Sequence, residues 1–454
     1  MKKNIAITIA AVLFTLSSQT ARTVHADVKL PAVIGSDMVL QRDVSIPIWG
    51  WADAGEEVTV TLNGQAAATK ADGEGRWKVK LPAMKADGKS HKLTVSGNNS
   101  IELTGILVGE VWVGSGQSNM EWRLVSTNGA KEAIAAAKHP QIRLFHVPKV
   151  QSKTPADDVK AAWQSCAPET AGSFSAVLYY FGLRLQKALG VPVGLINSSW
   201  GGSPIEPWTI DEEQSGRMYN GMIAPLQPYA IRGAIWYQGE TNVIRKNGLK
   251  YRDKMEALIG GWRKSWNQDI SFYFVQIAPF SGGGYQPGQL PALWEAQTAS
   301  LKIPGTGMAV VTDLVDNIRD IHPRNKLDVG NRLALWALAK NYGKKDLVYS
   351  GPLYKSMQIK GKSIHLHFAH AGGGLKSRDG KPLSEFQVAG ADGKFVAAKA
   401  EIEGNTVVVQ AVGVDSPKHV RFGWHKAANP NLINKEGLPG SPFQTDGWSG
   451  GTGE

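Results

Sequence analysis

Two short stretches carry residue types that can do chemistry together: Gly114-Ser115-Gly116-Gln117-Ser118-Asn119-Met120, which follows the apolar segment Glu110-Val111-Trp112-Val113, and Asp320-Ile321-His322-Pro323. A serine hydroxyl is a weak nucleophile at neutral pH and needs a base near pKa 7, itself oriented by a carboxylate. His322 and Asp320 can supply both. Residues i and i+2 of an extended segment point to one side, and Pro323 biases His322 towards extended geometry. Asp320 can then steady an imidazole aimed at Ser118. The plainer readings are a helix N-cap for Ser118 and a structural pairing for Asp320 with His322. Their co-occurrence in one chain favours acyl transfer.

Two further segments end apolar runs in polar and glycine residues. Gly233-Ala234-Ile235-Trp236-Tyr237-Gln238-Gly239-Glu240-Thr241-Asn242 offers the Gln238 amide as an oxyanion donor beside the Ser118 N–H, where one such donor is worth roughly 3 kcal/mol. Ile196-Asn197-Ser198-Ser199-Trp200-Gly201-Gly202-Ser203 offers another N–H from Gly201 or Gly202, with the choice open. Ordinary strand-end turn chemistry is the alternative for both.

The chain resembles the sialate O-acetylesterase family of the SGNH superfamily in Gly-Gln-Ser-Asn-Met (116–120), Ser-Trp-Gly-Gly-Ser-Pro-Ile-Glu-Pro-Trp (199–208), Trp-Tyr-Gln-Gly-Glu-Thr-Asn (236–242) and Asp-Ile-His-Pro-Arg-Asn-Lys (320–326). The resemblance implies Ser118 as nucleophile, His322 as base and Asp320 as its partner, with Ser118, Gly201 or Gly202, and Gln238 at the oxyanion hole. Gln117, Asn119, Trp122, Trp200, Glu240 and Asn242 are expected to bind substrate. Two departures from the superfamily stand out. Gln238-Gly239-Glu240 replaces Gly-x-Asn-Asp, and Asp320-x-His322 replaces Asp-x-x-His, which leaves Asp313 and Asp316 as substitutes for the acid.

These residues must be carried by a scaffold. From about 105 to 345, apolar strands alternate with helical patterns, such as Val177, Phe181, Leu185 and Leu189, or Tyr251, Met255, Ile259 and Trp262. Such alternation predicts an α/β, three-layer α/β/α domain with a parallel sheet, the four motifs sharing the rim at its carboxyl edge. Lys326 to about Tyr342 reads as a helix stopped at Gly343. Residues 27–104 show short alternating segments punctuated by Asn63-Gly64 and Asp72-Gly73, an expected N-terminal β-sandwich. Residues 346–446 return to β texture as a C-terminal β-rich region, and 447–454 read as a disordered tail.

Lys2-Lys3, an apolar run from Ile5 to Leu16 and Val24-His25-Ala26 match a cleavable secretory signal over 1–26. A periplasmic or secreted protein is therefore expected, with no membrane partner after cleavage. Cys166 is the one cysteine, so no internal disulfide can form. The formal charge of +11 falls by three to +8 when Lys2, Lys3 and Arg22 are removed. The basic residues are scattered without a dense run and read mainly as solvated surface, so no nucleic-acid partner is expected, and acidic glycans fit.

His365, His367 and His370 lack companion Cys or carboxylate residues, so no metal is expected, and no organic cofactor. Trp122, Trp200, Trp208 and Trp236 beside the motifs suit sugar rings, core packing being the alternative for each. The expected activity is removal of O-acetyl groups from sialic acids or acetylated polysaccharides through an acetyl-serine. Arg123, Arg245, Arg319 and Arg324 are candidate partners for a sugar carboxylate. Two other readings stand beside it: a glycan-binding protein on an esterase scaffold, and a lipase or thioesterase, which would need an apolar tunnel or lid where the motif-flanking loops are polar and Trp-rich.

Overall fold

The computed structural model describes residues 27–210 and 216–447, so the expected signal segment and the tail from 448 onward lie outside it. Alternation in Arg76-Trp77-Lys78-Val79-Lys80-Leu81 puts Trp77, Val79 and Leu81 on a buried face and the basic residues outside. This strand, β2 (Arg76–Leu81), pairs antiparallel with β1 (Ile46–Trp51). The ribbon packs against a second antiparallel group, Gln65–Lys70, Glu57–Leu62 and His91–Ser96, in which Asn63-Gly64 forms the expected tight turn.

The N-terminal region is not a separate body. Strand β3 (Ser100–Gly116) pairs antiparallel with His91–Ser96 along its first half and then continues into the central sheet between two parallel neighbours. The expected boundary at 104/105 thus falls inside one strand. A strand shared by both sheets makes a shared core: Val58, Val60 and Val95 belong to the same buried cluster as Val113 and Ile196. The C-terminal strands bury their own cluster, including Ile364, Leu366, Val407 and Phe422.

Seven strands form the central sheet: β3, β4 (His139–His146), β5 (Trp163–Cys166), β6 (Val193–Ser199), β7 (Gly233–Tyr237), β8 (Ser271–Gln276) and β9 (Thr306–Val310). Their order is β9-β8-β7-β3-β6-β4-β5, parallel throughout except for β5. The edge pair β4 and β5 carries many polar residues and did not register as strand in the sequence pattern. Short helices α1 (Ser118–Glu121) and α3 (Arg217–Met222) flank the long helix α2 (Ala176–Leu189) in chain order, followed by α4 (Tyr251–Trp266), α5 (Gln289–Ala299) and α6 (Lys326–Lys340).

Two consecutive residues of β8 reveal the layers, because neighbours on a strand face opposite ways. Phe272 meets Trp262 of α4 at 5.8 Å between rings, whereas Tyr273 meets Trp336 of α6 at 6.4 Å. Helices α2 and α6 pack together on the Tyr273 side, with Phe181 of α2 5.0 Å from Trp112 of β3. From β3 the chain builds β4 and β6 on one side and then β7, β8 and β9 on the other. The crevice at the carboxyl end of β3 is therefore a topological switch point, the place where open α/β sheets bind ligands. Ser118 sits there.

Candidate active site

Gly116 ends β3 at φ +132°, and a Cβ on it would lie 2.2 Å from the Tyr237 carbonyl oxygen, so both conformation and space demand glycine. That close approach lets the Gln117 N–H donate to Tyr237 O at 3.0 Å, while the Trp200 N–H donates to Gly116 O at 3.0 Å. The ends of β7 and β6 are thereby tied to the turn that holds Ser118. As the first residue of α1, Ser118 has an N–H with no intrahelical acceptor.

His322 arrives from the loop between β9 and α6. Its Nε2 lies 2.8 Å from Ser118 Oγ, a hydrogen bond between residues 204 positions apart. Asp320 accepts the His322 backbone N–H at 2.9 Å, and the same oxygen is 3.7 Å from His322 Nδ1. That is ion-pair range, longer than a hydrogen bond, as catalytic contacts often are without substrate. The alternative acid Asp313 binds Arg332 with both oxygens at 2.6 and 2.7 Å, and Asp316 accepts the Asn317 N–H at 3.1 Å. Asp320 is the carboxylate nearest the imidazole among these.

The His322 loop is held from below. Fully buried Asn119 donates Nδ2 to Ile321 O at 3.0 Å, between Asp320 and His322 in sequence, and to Glu240 Oε1 at 2.6 Å. Its Oδ1 accepts from Lys326 Nζ at 2.5 Å. Lys326 is itself completely buried, and burial pushes its ammonium down to about 7 against the opposing pull of Glu240. Burial raises the Glu240 carboxyl, with hydrogen bonds and Lys326 opposing.

Trp122 stacks on the His322 ring at 4.6 Å and 21°, and Lys326 Nζ lies 5.9 Å from the Trp122 ring. Burial, then the Lys326 charge, lower the His322 pKa, and Asp320 opposes them. A neutral imidazole at pH 7 results, the form a general base needs.

Several expected ligand-binding side chains turn away from the crevice. Gln238 is fully buried, its Nε2 donating within the protein to Asn242 Oδ1 at 2.7 Å, Gln117 Oε1 at 3.0 Å and Ser203 O at 3.2 Å, while its Oε1 accepts from the Tyr251 hydroxyl at 2.7 Å. A side chain so occupied does not reach an oxyanion. Its place is the framework joining β7 to the Gln117 turn. Asn119, Glu240 and Asn242 are likewise buried and internally bonded, Asn242 Oδ1 also accepting from the Ile205 N–H at 3.1 Å. Gln117 points its Oε1 at the Gly239 and Thr241 N–H groups.

The tryptophans divide. Trp122 and Trp200 are half-buried at the rim, whereas Trp208 and Trp236 are core residues packed edge-to-face at 6.2 Å. Gly201 directs its N–H to Glu121 Oε2 at 2.6 Å, and Glu121 Oε1 pairs with Lys149 at 2.5 Å. Gly202 is exposed, at φ +77°. Arg123, Arg245, Arg319 and Arg324 are all exposed.

Lys326 and Glu121 are the functional-site residues that sequence reasoning left unassigned. The position of Lys326 four residues after His322 was the available signal. Glu121 gave none. His365 and His367 lie 3.4 Å from the hydroxyls of Ser363 and Thr406, and His370 packs on Tyr349 and Trp336. Among the described residues, no group of three His, Cys, Asp or Glu could hold a metal ion.

The profile of the carbohydrate esterase family of sialic acid-specific acetylesterases matches residues 108–338, which span all four motifs. The chain belongs to that family. It is 30% identical to rat (Rattus norvegicus) sialate O-acetylesterase over 80% of this chain and 82% of the relative, and 31% identical to the human (Homo sapiens) enzyme over 73% and 74%. A solved carbohydrate acetylesterase from Xanthomonas citri superposes with a TM-score of 0.90 at 40% identity, over 93% of this chain and 100% of that one. The three-layer fold is thus that of a carbohydrate acetylesterase, and the family match runs from the second half of β3 through most of α6.

Proposed function

We propose that this carbohydrate acetylesterase releases acetate from O-acetylated sugars through an acetyl-Ser118 intermediate. The reading rests on the 2.8 Å contact between Ser118 Oγ and His322 Nε2 at the switch point of the sheet. Ser118 Oγ attacks the acetyl carbonyl while its proton passes to Nε2. The Ser118 N–H and an N–H of the Gly201-Gly202 pair receive the oxyanion. A negatively charged oxygen of Glu121 already occupies the Gly201 N–H, and a Cβ on Gly201 would lie 3.5 Å from Ser118 Cβ, so this donor adjoins the nucleophile and suits an anion. The substrate oxygen takes the place of the carboxylate.

Collapse of the tetrahedral intermediate breaks the bond to the sugar oxygen, which takes the proton back from His322. Water, deprotonated by the same nitrogen, then attacks the acetyl carbon and frees Ser118. Asp320 orients the imidazole and stabilises its cation. Trp122 and Trp200 offer ring faces to the sugar at the rim.

The substrates fall among acetylated sialic acids and acetylated polysaccharides. The exposed Arg123 and Arg324, close in sequence to Trp122 and His322, would favour a sugar bearing a carboxylate. Export follows from the signal-like residues 1–26 and places the enzyme where such glycans are met.

Replacement of Ser118 by Ala tests the mechanism. Hydrolysis of an aryl acetate and acetate release from acetylated glycans should both fall by at least about 10⁴-fold. Equal inertness of wild type and variant on every acetyl ester would favour the glycan-binding reading. Faster hydrolysis of octanoyl than of acetyl esters would favour a lipase.

A further inference from the structure

The outer face of the β1–β2 ribbon carries an unusual pair of residues. Trp49 and Trp51 stand two apart on β1 and share a face, directly opposite Lys78 and Arg76 of β2 in the antiparallel register. The inner face, with Ile48, Val79 and Leu81, is core. An outward strand face is ordinarily polar, yet this one holds two half-buried indoles. Across from them stand Tyr219 of α3, Gln227 and Pro228, and the space between is a groove of about 570 Å³. That volume lies within the roughly 300–1,000 Å³ of small-molecule sites.

The groove belongs to the opposite end of the sheet from the catalytic rim. Gln227 and Pro228 precede β7, whose first residue, Gly233, pairs with Trp112. Four strand residues separate Trp112 from Gly116, about 13 Å at 3.3 Å per residue, and Ser118 lies beyond. None of the lining residues comes from the four motifs.

Beneath the groove lies Trp77, which shares the inner face of β2 with Val79 and Leu81 and is 3% exposed. Gly50 makes room for that ring, since a Cβ there would lie 2.9 Å from Trp77 Cζ2. The charges at the edge largely offset one another. Arg76 lies 3.8 Å from Asp157 and 3.7 Å from Glu74, and Lys70 pairs with Glu57 at 3.1 Å.

We infer that this groove is an accessory binding site for a neutral saccharide chain, with the indole faces of Trp49 and Trp51 as sugar platforms. Flat apolar faces flanked by charge-compensated donors and acceptors match the alternating C–H faces and hydroxyl edges of a pyranose chain. The site would hold a glycan away from the rim and raise its effective concentration at Ser118. The inference rests on the carbohydrate-esterase reading for its choice of ligand.

The test is affinity electrophoresis of the full chain in gels containing arabinoxylan, xyloglucan or galactomannan, alongside hydrolysis of a small aryl acetate. Wild type should be retarded by at least one of these polysaccharides. Trp51→Ala and, separately, the exposed Arg76→Ala should each weaken that retardation, Trp51→Ala by about tenfold in apparent Kd, with aryl acetate turnover at the wild-type rate. That turnover also shows that each variant is folded. Retardation by none of the three, retardation unchanged in both variants, or retardation by polysialic acid alone would overturn the inference. Absence of aryl acetate turnover in the wild type would instead sink the esterase reading, whatever the gels show.

Discussion

Lys326→Met is the perturbation that most directly probes how the base is tuned. Lys326 Nζ is 5.9 Å from the Trp122 ring and that ring is 4.6 Å from the His322 ring, so charge and imidazole lie within about 10.5 Å of each other. At that separation, with an effective dielectric constant of about 20, a unit charge repels an imidazolium by about 1.6 kcal/mol. One pKa unit corresponds to about 1.4 kcal/mol, so removing the charge should raise the His322 pKa by about one unit. Burial holds the lysine at about 7, so it is protonated over the acid range in which the imidazole titrates.

The assay is kcat/KM for an aryl acetate as a function of pH. Only neutral imidazole accepts the serine proton, so activity falls as pH drops through the His322 pKa, and this acid limb should move up by about one pH unit in the variant. Met strands Asn119 Oδ1 and the Glu240 carboxylate, so the variant should also lose stability. Lys326→Met/Glu240→Gln removes the stranded carboxylate and should show the same displaced limb. An acid limb that stays at the wild-type position in both proteins would refute the electrostatic coupling.

In the wild type, burial and Lys326 together keep the His322 pKa below its ordinary 6.5, so kcat/KM should already be on its plateau at pH 7 and fall only under more acidic conditions. Asp320→Asn should lower kcat by roughly 10²- to 10⁴-fold with little change in melting temperature, read by steady-state kinetics and thermal unfolding. Asp313→Asn should do the reverse: it breaks a largely buried bidentate pair with Arg332, costing about 3 kcal/mol in denaturant unfolding while leaving the pH limb in place. Gly116→Ala places a methyl group 2.2 Å from Tyr237 O at φ +132° and should abolish esterase activity in whatever folded protein is recovered, with circular dichroism as the control.

The chemistry legible in the chain was that fixed by short-range geometry. Gly116 beside Ser118, and Pro323 after His322, constrain the local backbone wherever the segments lie, and their residue types point to acyl transfer. Alternation of apolar strands with helical patterns likewise indicated a parallel sheet with one functional rim. What the pattern could not resolve was direction at the strand ends. Gln238, Asn119, Glu240 and Asn242 stand within a few residues of the rim, but each is turned inward by a partner from another motif, Asn119 by Glu240, Gln238 by Gln117 and Ser203, and Asn242 by Ile205.

Trp236 and Trp208 pack in the core, while Trp122 and Trp200, from the same motifs, reach the rim. Residue type is the same in both pairs, and the helix or strand packed opposite decides. The break expected near residue 104 failed for a related reason, since a single strand can belong to two sheets and composition does not record its neighbours.

The amino-acid sequence by itself determined which side chains can form a serine esterase and which backbone turns must present them, because glycine, proline and residue spacing act within a few bonds. Only the tertiary structure decided that Ser118 and His322 meet, that Lys326 lies buried beneath them and that Gln238 faces inward. Those outcomes depend on which distant surfaces share a dry interior, where a hydrogen bond left unmade is costly enough to dictate orientation.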